Sequence, residues 1–156
     1  MCCAVCSIVE SEQSDVVIYR NPFLVLYHIP DVDLPGYLVL TTVRHVEDLG
    51  SLTGDEVSSM ARIQQMAVTF LLQIPDIGKV YLSSFGEVCP HLHFHLFPRT
   101  KGMLENTALW TDGQVDGPLI FDHYRKSLRT GEISGSVRLM IQRLRMRFAE
   151  QTGNVS

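Results

Sequence analysis

Between His91 and Pro98 the chain alternates strictly, with His91, His93 and His95 at one parity and Leu92, Phe94 and Leu96 at the other. A period of two predicts a β-strand with histidines on one face and apolar residues on the other, ended by Pro98. Four shorter β-rich runs precede it. Asp15–Arg20 and Phe23–His28, split by the turn dipeptide Asn21-Pro22, read as a hairpin. Tyr37–Thr42 follows a loop containing Pro30 and Pro35, and Lys79–Ser84 stands before the connection Phe85–Pro90. Helical spacing takes over from Val57 through Met60, Ala61, Met66, Ala67, Phe70 and Leu71 until Pro75. Thr53 and Glu56 have the spacing of a capping box at its start.

Lys101–Pro118 carries Asp112-Gly113 and Asp116-Gly117-Pro118 without sustained periodicity and is assigned to loop. Val137, Met140, Ile141, Leu144 and Phe148 mark a C-terminal helix. Its other side carries Arg138, Arg143, Arg145 and Arg147, the pattern of a solvated face.

Length and composition narrow the picture. The 156 residues suit one domain, and an apolar fraction of 46% with 19% charged residues excludes a disordered or fibrous chain. A formal charge of −4 offers no general attraction to nucleic acid or anionic lipid, so a phosphate site must be built locally. No apolar run approaches the roughly 18 to 20 residues of a membrane span, and Met1–Glu10 lacks the features of a secretory leader. A cytoplasmic protein with no nucleic-acid or membrane partner is expected. Cys2, Cys3 and Cys6 crowd one end while Cys89 lies far away, a poor disulfide framework; reduced or metal-bound thiols fit better.

Two constellations can do chemistry. Three imidazoles in register, their neighbours roughly 6.5 to 7 Å apart by the strand rise, can flank a group the size of phosphate. Neutral imidazole can attack phosphorus and later leave it, although an H-x-H-x-H strand can also be a metal site or a polar edge. Cys3-Ala4-Val5-Cys6 has the spacing of one arm of a structural zinc site, for which His45 and His91 can supply the remaining ligands. A redox C-x-x-C and two ordinary thiols are the alternatives. Candidate donors to phosphate are Ser83, Ser84, backbone N–H groups around Gly86, and Arg99.

The run Phe85-Gly86-Glu87-Val88-Cys89-Pro90-His91-Leu92-His93-Phe94-His95-Leu96-Phe97-Pro98-Arg99 resembles the signature of the histidine triad family. Leu34–Leu40 with Arg44–Leu49 resembles that family's Pro-Gly-His-strand segment and the turn after it, so the likeness covers about residues 3 to 101. It implies an α+β fold with a five-stranded antiparallel sheet and one long helix over residues 1–102. Residues 103–156 would form a C-terminal extension, loop plus helix, packed on the same domain. A homodimer is implied as well.

The implied activity is that of a nucleotidyl hydrolase or transferase on dinucleoside polyphosphates or nucleoside phosphoramidates, through a nucleotidylated middle histidine, here His93. His95 would bind or protonate phosphate and leaving-group oxygens. Zinc-bearing members place their metal at the positions of Cys3, Cys6, His45 and His91, which implies structural Zn2+. His95 argues against the hexose-1-phosphate uridylyltransferase branch, which has glutamine there.

Three departures stand out. Glu87 and Val88 replace the common glutamine and serine or threonine, so a carboxylate that repels phosphate stands at a substrate-binding position. The connection before the histidines is short, which passes its polar contact to Ser83 or Ser84. Tyr37 follows Pro35-Gly36 where histidine is common. The rival functions are a nucleotide-binding regulatory protein with little turnover and a structural or redox zinc protein.

Overall fold

A computed structural model describes residues 3–11 and 15–153; Cys2 lies outside the described residues. Five strands, β1 (Val17–Arg20), β2 (Leu24–His28), β3 (Leu38–Thr42), β4 (Ile77–Ser83) and β5 (His93–Thr100), form one antiparallel sheet in the order β1-β2-β3-β5-β4. The helices are α1 (Ala4–Glu10), α2 (Gly54–Leu72), α3 (Gly117–Ser127) and α4 (Gly135–Thr152). This is the expected α+β architecture with one long helix.

Alternation along each strand sorts the core into two faces. Leu24, Leu26, Leu38, Leu40 and Leu96 point to one face, where Met60, Ile63, Phe70 and Leu71 of α2 and Ile141, Leu144 and Phe148 of α4 cover them. Each such leucine, removed from water, contributes about 1.5–3 kcal/mol. On the other face Val25, Tyr27 and Val39 pack with Val5 and Val9 of α1, while Tyr37 and Phe97 pack with Ile120 and Phe121 of α3. His93 and His95 share the parity of Phe97, so α1 and α3 flank the histidine face and α2 lies behind it.

The local devices match the sequence. Thr53 Oγ1 accepts from the Glu56 N–H while a Glu56 carboxylate oxygen accepts from the Thr53 N–H, completing the capping box of α2. Gly36 turns into β3 at φ +85°, where a Cβ would stand 2.8 Å from Leu71 Cδ2.

Four local expectations change. β5 begins at His93, because the N–H of Leu92 donates to the Val46 carbonyl at 2.6 Å instead of joining the ladder. His91 therefore lies before the strand. Pro98 does not end β5, which continues to Thr100; β3 already stops opposite Leu96, so Pro98 sits where β5 has an open edge on that side.

The stretch assigned to loop carries a small hairpin, β6 (Trp110–Thr111) with β7 (Gln114–Val115), and its end opens α3. Asp112 and Gly113, at φ 52° and 74°, form the hairpin turn, while Asp116 caps α3 by accepting from the Leu119 N–H at 3.0 Å. The arginine face of α4 is also more than solvated. Arg145 donates to the Val17 carbonyl at 2.7 Å, and Arg147 bonds Gln73 and lies over the Phe70 ring. No helix among the described residues is long and apolar enough to cross a membrane.

Candidate active site and metal centre

The last residue of β3 begins the site. The Thr42 carbonyl accepts from Nε2–H of His91 at 2.9 Å, with Thr42 Oγ1 3.1 Å from the same nitrogen. A carbonyl can only accept, so the proton stands on Nε2 and the lone pair on Nδ1. That Nδ1 lies 3.3 Å from Cys6 Sγ, and Nδ1 of His45 lies 3.2 Å from the same sulfur. Cys3, at the start of α1, completes the group, whose four ligand atoms all lie within 4.8 Å of one another. A tetrahedral zinc with bonds of about 2.0 to 2.3 Å separates its ligands by roughly 3.3 to 3.8 Å, so the group is close to the required size. Two thiols and two imidazoles, one with its outer nitrogen already bonded to a carbonyl, suit that ion. Burial holds the fully buried His91 below its ordinary pKa, in the neutral form a metal needs. Cys3, Cys6 and Cys89 carry no disulfide.

Past His91 the chain turns into β5. The Leu92 carbonyl accepts from Thr41 Oγ1 at 2.8 Å, and His93 Nδ1 lies 2.7 Å from the His91 carbonyl oxygen. The same reasoning places the His93 proton on Nδ1 and leaves Nε2 with a lone pair. His93 lines a cavity of about 490 Å³ together with His95, Glu87, Phe121, Asp122 and Arg125. The His93 and His95 rings meet edge to face at 5.1 Å, closer than the strand rise alone suggests.

His95 is buried, and its Nδ1 lies 3.0 Å from the Tyr37 hydroxyl. Burial first, then the neighbouring His93 and Arg125, push the His95 imidazole down to about 4. It is neutral at pH 7 and can donate a hydrogen bond without being an imidazolium acid. Burial raises the Tyr37 phenol above its ordinary range, so its proton stays in place.

The structure separates the other candidates. Ser83 pairs across the sheet with His95, and its buried Oγ has no partner. It lines a second cavity of about 840 Å³ that shares Phe85, Pro118 and Phe121 with the histidine cavity. Arg99 lines that second cavity, six residues along β5 from His93, which is roughly 20 Å at the strand rise, so it does not stand beside that histidine. Ser84 follows the end of β4, exposed, and lines neither cavity. Glu87 and Val88 are exposed at the rim of the histidine cavity.

Phe121, Asp122 and Arg125 come from α3, most of which lies beyond the stretch Lys101–Pro118 assigned to loop, where no element is predicted from the sequence. A signal for that helix exists: Asp116 before Pro118, apolar Ile120, Phe121 and Tyr124, and basic Arg125 and Lys126 in the last turn. Tyr37, noted only as a departure, is the hydrogen-bond partner of His95.

Known proteins resemble this chain in fold. A model of the HIT domain matches residues 10–102. No curated protein sequence matches the chain. Among solved structures, a zinc-bound histidine triad family protein from Mycobacterium smegmatis shares 16% identity at a TM-score of 0.63, over 97% of this chain and 96% of that one. A hypothetical histidine triad nucleotide-binding protein from Sulfolobus tokodaii shares 14% at 0.67, over 98% and 96%. Plasmodium falciparum diadenosine triphosphate hydrolase, in complex with cyclomarin A, shares 12% at 0.57, over 92% and 81%. At such identities the likeness concerns the fold. The domain match covers well over half of the chain and includes the strand of alternating histidines, so the chain belongs to the histidine triad family.

Proposed function

We propose that this protein hydrolyses a nucleotide derivative, a dinucleoside polyphosphate or a nucleoside phosphoramidate, by nucleophilic attack of His93 on the α-phosphate. The observation that carries the reading is the 2.7 Å contact between His93 Nδ1 and the His91 carbonyl. It fixes the tautomer and leaves Nε2 as the nucleophile in the lining of the cavity.

Attack forms a bond from Nε2 to phosphorus as the bond to the leaving group breaks, and the leaving group departs with that electron pair, as a phosphate anion or, for a phosphoramidate, as an amine that takes a proton from solvent. Water then adds to phosphorus, loses a proton to solvent, and breaks the phosphorus–nitrogen bond to restore neutral His93. With Tyr37 donating to Nδ1 of His95, the Nε2–H of His95 is free to donate to a phosphate or leaving-group oxygen. Ser83 and Arg99, in the adjoining cavity, serve the leaving-group side; Glu87 stands at the rim, where its charge slows ordinary substrates.

Cys3, Cys6, His45 and His91 would hold one Zn2+, which when bound ties α1 to the end of β3 and to the segment before β5. The free thiols suit a reducing compartment such as the cytoplasm. Residues 103–156 work with the family domain of residues 1–102 rather than apart from it, since α3 supplies part of the cavity wall. A homodimer is the proposed assembly: β4 is an outer strand with Leu82 half exposed, an edge to which a second sheet can add.

The test is a panel of dinucleoside polyphosphates and nucleoside phosphoramidates given to the wild type and to His93→Ala. Dinucleoside polyphosphates head it because the Plasmodium falciparum neighbour is a diadenosine triphosphate hydrolase. The reading requires hydrolysis by the wild type and none by the variant. Binding without turnover would assign the regulatory role that Glu87 and Val88 favour.

A further inference from the structure

The histidine cavity is short of positive charge. Its lining includes two carboxylates, Glu87 and Asp122, against a single guanidinium, that of Arg125. His95 is neutral, so a phosphate placed beside His93 meets one permanent cation. Glu87 and Val88, at the positions where the family commonly places a polar pair, do not supply a donor of that charge.

Arg125 is placed and poised for this task. It lies one helical turn after Phe121 on α3, so both side chains share the face turned to the sheet. Phe121 makes ring contacts with His95 and Phe97 at 5.7 and 5.3 Å, which seats that face against the histidine strand. The Arg125 guanidinium carbon lies 5.4 Å over the Phe121 ring, a contact that limits its swing. Its Nε is buried without a partner, a donor left unmatched. Among the described residues its one ion pair is loose: Arg125 Nη2 stands 3.8 Å from Asp122 Oδ1, while Lys126 holds Asp122 Oδ2 at 2.6 Å. The charge of Asp122 is thus answered chiefly by Lys126, and the fork of Arg125 remains available to the cavity.

We infer that Arg125 is the charged residue that binds phosphate in this site, beside the neutral His95, a donor brought by α3 from outside the segment that matches the HIT domain. The inference rests on reading the cavity as a nucleotide site. A guanidinium presents two parallel N–H groups to two phosphate oxygens, which an ammonium cannot do with the same geometry. The consequence is a division of labour: β5 supplies the nucleophile, and the C-terminal extension supplies recognition of the phosphate.

The experiment measures calorimetric affinities of the full chain for AMP, GMP, CMP and UMP and for their nucleosides, in the wild type, Arg125→Gln and Arg125→Lys. The wild type should bind its preferred monophosphate more than tenfold tighter than the matching nucleoside. Arg125→Gln should close that gap, with monophosphate affinity falling roughly 10- to 100-fold and nucleoside affinity unchanged, the loss of one hydrogen-bonded charge. Arg125→Lys should recover part of it. A gap that survives in Arg125→Gln overturns the inference. If Arg125→Gln does not fold, Arg125→Lys decides: monophosphate affinity equal to that of the wild type overturns the inference. Steady-state hydrolysis and adduct formation are measured beside it. A wild type that turns over and forms the histidine adduct, with no loss in the variants, rejects Arg125 alone. A wild type that neither binds monophosphate nor turns over rejects the nucleotide reading and the inference with it.

Discussion

The carbonyl oxygen of His91 accepts a hydrogen bond from Nδ1 of His93 at 2.7 Å, while the ring of the same His91 turns away to the thiol of Cys6. In the proposed mechanism one residue therefore links the candidate metal centre to the nucleophile: its side chain belongs to the first and its backbone orients the second. Loss of the metal should reach the chemistry through this link.

Removing zinc is the first consequence. Purified protein should carry about one zinc per chain, and Cys6→Ser should carry almost none, as read by elemental mass spectrometry. The metal-free chain should melt lower, by the equivalent of about 4 kcal/mol where free zinc stands a thousandfold above its Kd. Wild-type protein without zinc, or Cys6→Ser retaining it, would remove the four-ligand assignment and leave His93 untouched.

Tyr37 should matter through His95. Tyr37→Phe leaves the buried Nδ1 of His95 without its partner at 3.0 Å, which costs about 1–3 kcal/mol for such a group. Turnover should fall by roughly tenfold or more, with little change in nucleotide affinity. An unchanged kcat would show that the tyrosine only fills space.

Acid should weaken the fold before it reaches the carboxylates. Burial pushes His95 down to about 4 and lowers His28, whose Nε2–H donates to the Leu34 carbonyl at 3.1 Å. In the unfolded chain both histidines gain protons near 6.5, so below that pH the unfolded state binds more protons than the folded one, for His95 down to about 4. Their contribution is full above pH 6.5 and declines as pH falls below it, for His95 by up to about 1.4 kcal/mol per unit. Urea melts at pH 7.5, 6 and 5 should show this decline, and a flat profile would contradict the burial of these rings.

Glu87 gives a prediction of opposite sign. An exposed carboxylate at the rim opposes an incoming phosphate by roughly 0.4–1 kcal/mol, so Glu87→Gln should raise kcat/KM about two- to fivefold at low salt. The gain should shrink as salt rises. A loss of activity would mean that Glu87 serves the reaction.

Much of this was legible in the sequence where one local rule acted alone. The Thr53–Glu56 capping box, the period of α2 and the pairing of Cys3 and Cys6 with His45 and His91 needed no tertiary information beyond sheet order. The misses lie where a distant segment decides. His91 leaves the strand pattern because the Val46 carbonyl captures the Leu92 N–H, and Pro98 stays within β5 because β3 stops short of it. The helix α3 was hidden because Asp116-Gly117-Pro118 serves equally as a turn and as a cap with a first helical turn. With α3 went Phe121, Asp122 and Arg125, one side of the cavity wall. Arg99 shows the converse, since adjacency in sequence to the histidines places it far along an extended strand, in the adjoining cavity.

The central claim is tested most directly by acid-free mass spectrometry of the protein quenched during turnover of a diadenosine polyphosphate or adenosine phosphoramidate. The account predicts a nucleotidyl mass added to the peptide bearing His91–His95, on His93, present in the wild type and absent in His93→Ala. Hydrolysis that proceeds with no adduct at any time, or an adduct that persists in His93→Ala, would contradict it.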